Sequence, residues 1–518
     1  MTVGKFLSLL PSLVLLFACV VIKLAFVTPL VGKWNFPLSQ IPGPTLAGWT
    51  RLWLIKTLYS GKWAEELVNL HRKYGKFRPI VRIGPRHVII SNPESIRRVL
   101  ATGSDYTRGP WFDTLRLHPN RANVISERDP KKHQRLRHIL GPGLAGKTIS
   151  NMQTVVDEHI KDWISMIWNK HATNKTGPRS LDLSKSIPYL TVDLISHLCL
   201  GESFGCTEKQ ADSLGFIQAM RVGMILQQYT SVLLEANTCL SRLGRTYFVR
   251  PFIYPTHKDT VGVGKTMQRI HQAVMKRDDT NRAGELSGNL LDSFIARGLP
   301  EDQIYSEMII ILAGGTDTTA TAAQGIIFSI LSNPAVLSRL RTEIDSFQAE
   351  KAKFLTFPIQ DSMARKLPYL QACIAEGLRK YPPLFQLRER VVPPQGDSLH
   401  GYYIPPGTFV GINGLATQLD DVYGDNVDAF EPERWLIDDK ERLRGMNRTL
   451  ELVFGYGGSK CLGVNMAYME LNKIIFELFS HFDISFVNPS QPWKRKARGI
   501  FIQSDFNVVM KRRTDIAC

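Results

Sequence analysis

Apolar positions along this chain follow three different rhythms. Phe6 to Ile22 is an uncharged apolar run, and Leu24 to Val31 extends it past Lys23. Such a span is about long enough to cross a bilayer as one helix. From Val124 to Phe347, and again from Met363 to Tyr381, most apolar residues recur at helical spacing. Short apolar or alternating runs within Phe77 to Ile90 and Phe501 to Met510 predict strands. The longest helical pattern opens at Pro300, read as a first-turn residue, and stops at Asn333-Pro334. At ~1.5 Å per residue it spans about 50 Å, enough to traverse a large domain. Lys276 to Leu291 is the most polar stretch and predicts a surface loop between helices. Ile41-Pro42-Gly43-Pro44 predicts a stiff, bent link that cannot continue a helix. No repeat or linker follows it. The organisation expected is a membrane anchor over 1–31, a basic, proline-rich hinge over 32–45, and one mainly α domain with small β-sheets over 46–518.

Composition narrows the picture in two places. With 64 Lys and Arg against 47 Asp and Glu, the net charge is +17, so a basic face must meet anionic lipid, nucleic acid or an acidic protein. No zinc-finger spacing or aromatic–basic signature accompanies the charge, which leaves no case for nucleic acid. The seven cysteines (Cys19, Cys199, Cys206, Cys239, Cys373, Cys461, Cys518) are odd in number and never at C-x-x-C spacing. A disulfide framework and a structural zinc site are therefore not expected, and a reducing compartment is. Lys5 alone precedes the apolar run, whereas Lys33, Arg51, Lys56 and Lys62 follow it. That bias places the large domain on the cytoplasmic side. The sequons at Asn174 and Asn447 are then expected to stay unglycosylated. A cleaved signal peptide is the alternative, but no small-residue cleavage site stands out before Lys33-Trp34-Asn35-Phe36-Pro37.

Chemistry concentrates at Cys461, in Phe454-Gly455-Tyr456-Gly457-Gly458-Ser459-Lys460-Cys461-Leu462-Gly463, just before a helical pattern from Val464 to Phe476. A glycine-rich turn can aim several N–H groups at one sulfur, and the following helix presents its positive end to the same atom. Both effects are expected to favour a thiolate. The plain alternative is a structural cysteine in a turn. The segment resembles the haem-binding loop of the cytochrome P-450 superfamily, F-G-x-G-x-R-x-C-x-G, at Phe454, Gly455, Gly457, Cys461 and Gly463. That pattern's arginine is replaced by Ser459, with Lys460 beside it, so the propionate contact it makes is not expected from this position.

Four further segments fall in the same family's order. Gly314-Gly315-Thr316-Asp317-Thr318-Thr319 lies mid-helix, where two glycines weaken the helix by ~1 kcal/mol each. Close helix packing is their plain use; room for a flat cofactor and a diatomic ligand is the other. The Thr318 hydroxyl can bond a carbonyl one turn back, and Asp317 with Thr318 is read as an acid–alcohol pair for proton delivery. Glu376 and Arg379 sit at i and i+3, and the resemblance joins them with Arg434 in a buried structural charge cluster. His133 and Arg137, four apart in a basic helical turn, resemble the family's propionate donors, as does Arg390 in Arg390-Val391-Val392-Pro393. Lys131, Lys132 and Arg135 point elsewhere and are candidates to dock an acidic electron donor. Gly141 to Thr148 also satisfies G-x-x-x-x-G-K-[ST], but it follows a basic helical stretch rather than a buried strand, which argues against a phosphate loop.

The resemblance covers residues 41 to 510 and implies the cytochrome P-450 fold around a buried haem b, with Cys461 as axial ligand of the iron. It implies monooxygenation: one oxygen atom of O2 inserted into an unactivated C–H or C=C bond, with electrons from NADPH delivered one at a time by NADPH–cytochrome P-450 reductase, and cytochrome b5 as a further partner. An endoplasmic reticulum location follows from the anchor. Trp111, Phe112, Ala313, Leu384, Phe385, Ile500 and Phe501 stand at the family's pocket positions and imply a mostly apolar small-molecule substrate. A haem-thiolate isomerase or dehydratase that needs no O2 is the alternative, and it would lack the acid–alcohol pair. The glycine loop and Tyr106 to Phe112 resemble fungal microsomal members of the pisatin demethylase-like group, several of which act in specialised metabolism.

Overall fold

The computed structural model describes Cys19 and residues 38–74, 79–149, 151–172, 179–245, 254–281, 288–351 and 356–513. The expected anchor, apart from Cys19, and residues 32–37 of the hinge lie outside these residues. Among the described residues no single helix is long and apolar enough to cross a membrane.

The helices that matter for the site are α1 (Pro130–Leu144), α2 (Leu183–Leu200), α3 (Phe216–Val232), α4 (Glu301–Leu331), α5 (Pro334–Lys351), α6 (Pro368–Lys380) and α7 (Val464–His481). Helix α4 is the axis. Its 31 residues extend about 46 Å at ~1.5 Å per residue. It packs against α2, α6 and α7. Pro300 caps α4 from an extended conformation rather than opening its first turn, and Glu301 and Asp302 complement the N-terminal dipole. Pro334 starts α5 after a 105° bend. Helix α2 is apolar nearly all round and correspondingly buried. Asp182 caps it by accepting the Ser184 N–H at 3.0 Å, and Gly201 ends it at φ +84°.

The strands are β1 (Ile80–Gly84), β2 (His87–Ile90), β3 (Thr107–Arg108), β4 (Ser180–Asp182), β5 (Arg390–Val391), β6 (Asp397–Leu399), β7 (Tyr402–Ile404), β8 (Phe409–Ile412), β9 (Phe482–Phe486), β10 (Lys494–Arg498), β11 (Ile500–Ser504) and β12 (Asn507–Arg512). They form a five-stranded sheet in the order β1-β2-β8-β5-β3, a three-stranded sheet β4-β12-β9, and the pairs β6-β7 and β10-β11. Among the described strands, β2 and β8 are the only pair that runs parallel. The short runs expected as strands within Phe501 to Met510 are two strands in two sheets, separated at Asp505 with φ +60°.

One expectation needs correction. The segment Lys276 to Leu291 is not a loop throughout: the helix Gly262–Asn281 runs into it and a second helix begins at Leu290. Apolar spacing in the first half was simply too sparse to signal helix. The link at Pro42 to Pro44 is non-helical, as expected, and held in place, because Pro42 C=O accepts the Arg82 N–H at 2.8 Å and a Cβ on Gly43 would sit 2.1 Å from the Arg82 carbonyl oxygen. The phosphate-loop pattern has no such use: α1 continues through Leu144, so its first four residues are helical and helix precedes them.

Candidate functional site

The Cys461 loop is built by two short 3-10 turns, Glu451–Phe454 and Gly457–Ser459, that run into α7. Gly455 (φ +79°) and Gly457 (φ +55°) take left-handed conformations, and a Cβ on either would meet backbone within 2.5 Å. Only glycine folds this turn. The Phe454 carbonyl accepts the Cys461 N–H at 2.7 Å, which closes the loop. Cys461 stays accessible although protein surrounds it closely, unlike Cys199, Cys206 and Cys373, which are packed away. Burial pushes the Cys461 thiol up, and the Gly463 N–H and the Arg137 charge pull it only partly back. The expectation that turn and helix alone favour the thiolate is therefore corrected. A bound cation must supply the rest, since a coordinating thiol loses its proton outright.

Around this loop the described residues gather cations, with Glu127 acting on Arg108 without forming an ion pair. Arg137 lies close enough to Cys461 for each to shift the other. Arg390 donates from Nη2 to Ser459 Oγ at 2.6 Å, so the serine that replaces the expected arginine is met by another arginine. Arg108, which sequence reading did not single out, donates to the backbone carbonyls of Val124, Ile125 and Glu127 and to His133 Nε2 at 2.8 Å. The guanidinium groups of Arg108 and Arg390 lie 4.7 and 4.9 Å from the centre of the Phe112 ring. Among the described residues none of Arg108, Arg137 and Arg390 forms an ion pair. Their charges burden one another. Burial, with Arg108 and Arg388 nearby, lowers Arg390 to about 9. Burial, then Arg108, Arg137 and Arg390, lowers His133 to about 3. A neutral His133 that accepts at Nε2 carries its proton on Nδ1, which can donate. An uncompensated buried cation cluster beside an accessible cysteine suits a ligand with two carboxylates and a thiolate-seeking metal. Haem b is such a group, so the residues present fit it.

Helix α4 supplies the other wall. Ile310, Ala313, Gly314 and Thr318 are less buried mid-helix positions that share one face, and Gly315 beside them is part-exposed as well. The two glycines divide the readings between them. A Cβ on Gly315 would lie 2.7 Å from Ile195 Cγ1, so that glycine serves packing against α2. A Cβ on Gly314 would meet nothing within 4 Å. Thr318 donates to the Gly314 carbonyl at 2.5 Å, one turn back. Asp317 does not join it. Its carboxylate is buried and accepts from Arg221 Nη2 of α3 at 3.1 Å. Burial pushes the Asp317 carboxyl up and Arg221 pulls it down. Asp317 and Thr318 therefore do not bond each other here: the acid pairs with a guanidinium and the alcohol lies beside it, because residues adjacent on a helix point about 100° apart.

Behind the loop, Glu376 accepts five hydrogen bonds: Arg379 Nε and Nη2 at 2.8 and 2.7 Å, Arg434 Nε at 3.0 Å, and Trp435 Nε1 and the Glu431 N–H at 3.0 Å. Arg379 also donates to the carbonyls of Gln418, Val427 and Ala429. Glu376 and Arg379 are 0 and 1 % exposed, and Arg434 is buried. The structure brings these three together but gives them no contact with Cys461. Of the candidate pocket residues, Ala313 and Leu384 are part-exposed, whereas Trp111, Phe112, Phe385, Ile500 and Phe501 are buried. Phe385 and Phe501 pack on each other at 4.5 Å within an apolar cluster, and Phe112 carries the two guanidiniums. Lys131, Lys132 and Arg135 are exposed.

A family model described as Cytochrome P450 matches residues 42–510. The chain is 33 % identical over 485 residues to cytochrome P450 monooxygenase ABA1 of Pyricularia oryzae, which covers 92 % of this chain and 93 % of that one. It is 33 % identical over 481 residues to cytochrome P450 monooxygenase aba1 of Botryotinia fuckeliana, covering 91 % of each. With cytochrome P450 monooxygenase gsfF of Penicillium aethiopicum it shares 29 % over 477 residues, 88 % of this chain and 90 % of that one.

Proposed function

The chain belongs to the cytochrome P450 family and is a monooxygenase, and we propose that it works as a membrane-anchored haem-thiolate enzyme of fungal specialised metabolism or detoxification, acting on a mostly apolar small molecule. The observation that carries this reading is the accessible Cys461 set beside Arg108, Arg137 and Arg390, three cations without carboxylate partners among the described residues. In this reading Cys461 ligates the iron, while Arg108, Arg137, Arg390 and the Nδ1–H of His133 hold the carboxylates of the cofactor. Phe454 and Gly455 shape the turn that presents the sulfur. When bound, haem supplies the reduction of O2 and the insertion of one oxygen atom.

The chain's own residues manage protons and place. Burial favours the protonated Asp317 carboxyl, and Arg221 opposes it, so a small movement of Arg221 lets Asp317 hold or release a proton at Oδ1. Thr318, on the open face of α4, can turn its hydroxyl proton from the Gly314 carbonyl toward the open side. Glu376, Arg379 and Arg434 hold the loop-bearing core rigid. NADPH–cytochrome P-450 reductase supplies electrons, with cytochrome b5 as a second donor, and the exposed Lys131, Lys132 and Arg135 offer an acidic donor its contact. The support for a single-pass anchor in the endoplasmic reticulum, with the domain in the cytoplasm, is the apolar run Phe6 to Ile22 and the basic residues after it.

The test is turnover in microsomes with co-expressed reductase. NADPH- and O2-dependent products one oxygen atom heavier than the substrate are expected. Conversion that proceeds without O2 would favour an isomerase. Charge reversal at Lys131, Lys132 and Arg135 is expected to slow reductase-supported turnover; unchanged rates would remove those residues from the docking surface.

A further inference from the structure

One guanidinium next to the cationic cluster has no part in anything above. Arg388 lies on the interior segment that leads into β5, between two residues whose backbone is fixed. The Leu387 carbonyl accepts the Ile412 N–H at 2.8 Å, and the Glu389 carbonyl accepts the Gly109 N–H at 3.1 Å. Leu387 packs into the apolar cluster with Trp63 and Phe385, and the Glu389 carboxyl lies 3.6 Å from His87 Nε2. Both are buried, whereas Arg388 between them is partly accessible. It has φ +45°, a left-handed conformation that a residue with a long side chain seldom adopts. Such conformations persist where the surroundings impose them, and they gather at ligand clamps.

The Nε of Arg388 is buried without a hydrogen-bond partner, and among the described residues no carboxylate reaches its guanidinium. Its charge is felt by Arg390, whose Nη1 donates to the Arg388 carbonyl at 2.8 Å, so the two residues are close neighbours. Gln386, two residues earlier, is buried and donates to Gln227 Oε1 at 3.2 Å, and Gln227 donates to Thr114 Oγ1 at 2.8 Å. This wall is therefore polar, unlike the apolar cluster behind it.

A charge count gives Arg388 its meaning. Haem b brings two carboxylates, and Arg108, Arg137 and Arg390 already outnumber them. Glu389 cannot balance Arg388, because it faces His87 and burial raises its carboxyl to about 8. A part-buried cation whose Nε has no partner is disfavoured without a counter-charge, and a guanidinium matches a carboxylate with two parallel hydrogen bonds. We propose that Arg388 binds a carboxylate at one end of the substrate and thereby fixes which end of an otherwise apolar molecule enters the site. This rests on the monooxygenase reading and names its substrate class.

The same carboxylate chemistry could come from the cofactor, and the experiment separates the two sources. Purified haem-loaded enzyme is titrated with a panel of C8–C18 carboxylic acids, each paired with its methyl ester, and the spin-state change of the Soret band is read. At least one acid is expected to bind about tenfold or more tightly than its ester. Arg388→Leu is expected to keep its haem and ferrous–CO spectrum and to lose that preference; Arg388→Lys is expected to keep part of it and guards against a folding failure in the leucine variant. Loss of haem from both variants assigns Arg388 to the cofactor's carboxylates and overturns the proposal. So does a panel in which no acid outbinds its ester, or a preference that survives Arg388→Leu. A wild-type protein that holds haem but never turns over with NADPH and O2 contradicts the monooxygenase reading instead, and is seen separately.

Discussion

Removing the Glu376 carboxylate is the sharpest perturbation the core permits. Five donors converge on it, and four of them are side-chain groups with no solvent route. In Glu376→Ala, Arg379 keeps three backbone carbonyls and Arg434 keeps Glu431, but neither recovers a buried counter-charge. Breaking a buried pair by deleting one partner costs ~3–5 kcal/mol. Against a typical total of ~5–15 kcal/mol this is about a fifth or more of the stability. The assay is the urea midpoint together with the ferrous–CO spectrum of the same preparation. A large fall in midpoint is expected, with carbonyl absorbance moving away from the thiolate position as the core behind the loop loosens. The pH dependence carries the same signature. Burial raises the Glu376 carboxyl, but Arg379, the Glu431 N–H and Arg434 together hold it below its ordinary value of 4.5. Its stabilisation is therefore full above about 4.5 and lost as pH falls through the folded value, and this acid-side slope should be shallower in Glu376→Gln. A Glu376→Ala protein with an unchanged midpoint and a normal carbonyl spectrum would refute the reasoning.

Further predictions follow from single contacts. Gly315→Ala places a Cβ 2.7 Å from Ile195 and should cost ~1–3 kcal/mol in thermal unfolding, whereas Gly314→Ala meets open space and should stabilise α4 by up to ~1 kcal/mol while changing the affinity for CO or imidazole. Arg390→Leu removes a buried cation from the Ser459 hydroxyl and should lower haem retention on gel filtration; full occupancy would take Arg390 out of the cofactor site. Burial pushes Glu307 to about 7 against the Val124 N–H and Gln303, so stability should decline as pH rises from about 4.5 through 7, and Glu307→Gln should flatten that leg in urea titrations.

How much of this was legible in the sequence depends on how local each signal is. The Cys461 loop, the Gly314 to Thr319 turn and the Glu376–Arg379 pair are contiguous, and their glycines and spacing state their geometry directly. Arg221 is 96 residues from Asp317 and Arg108 is 25 from His133; a partner that arrives by tertiary packing leaves no trace in local spacing. Ser459 looked like a lost contact until β5 brought Arg390 to it. Phe385 and Phe501, read as pocket positions, are buried and pack on each other, a contact that apolar type alone does not reveal. The thiol was misjudged for an energetic reason: dipoles near the sulfur were visible in sequence, and the burial that outweighs them was not.

The ferrous–CO difference spectrum of the purified protein, run beside Cys461→Ser, reaches the metal–sulfur bond most directly. A red-shifted, thiolate-type Soret band in the wild type that disappears in the serine variant is the expected result. Protein without porphyrin, or a carbonyl band like that of imidazole-ligated haem in both, would contradict it.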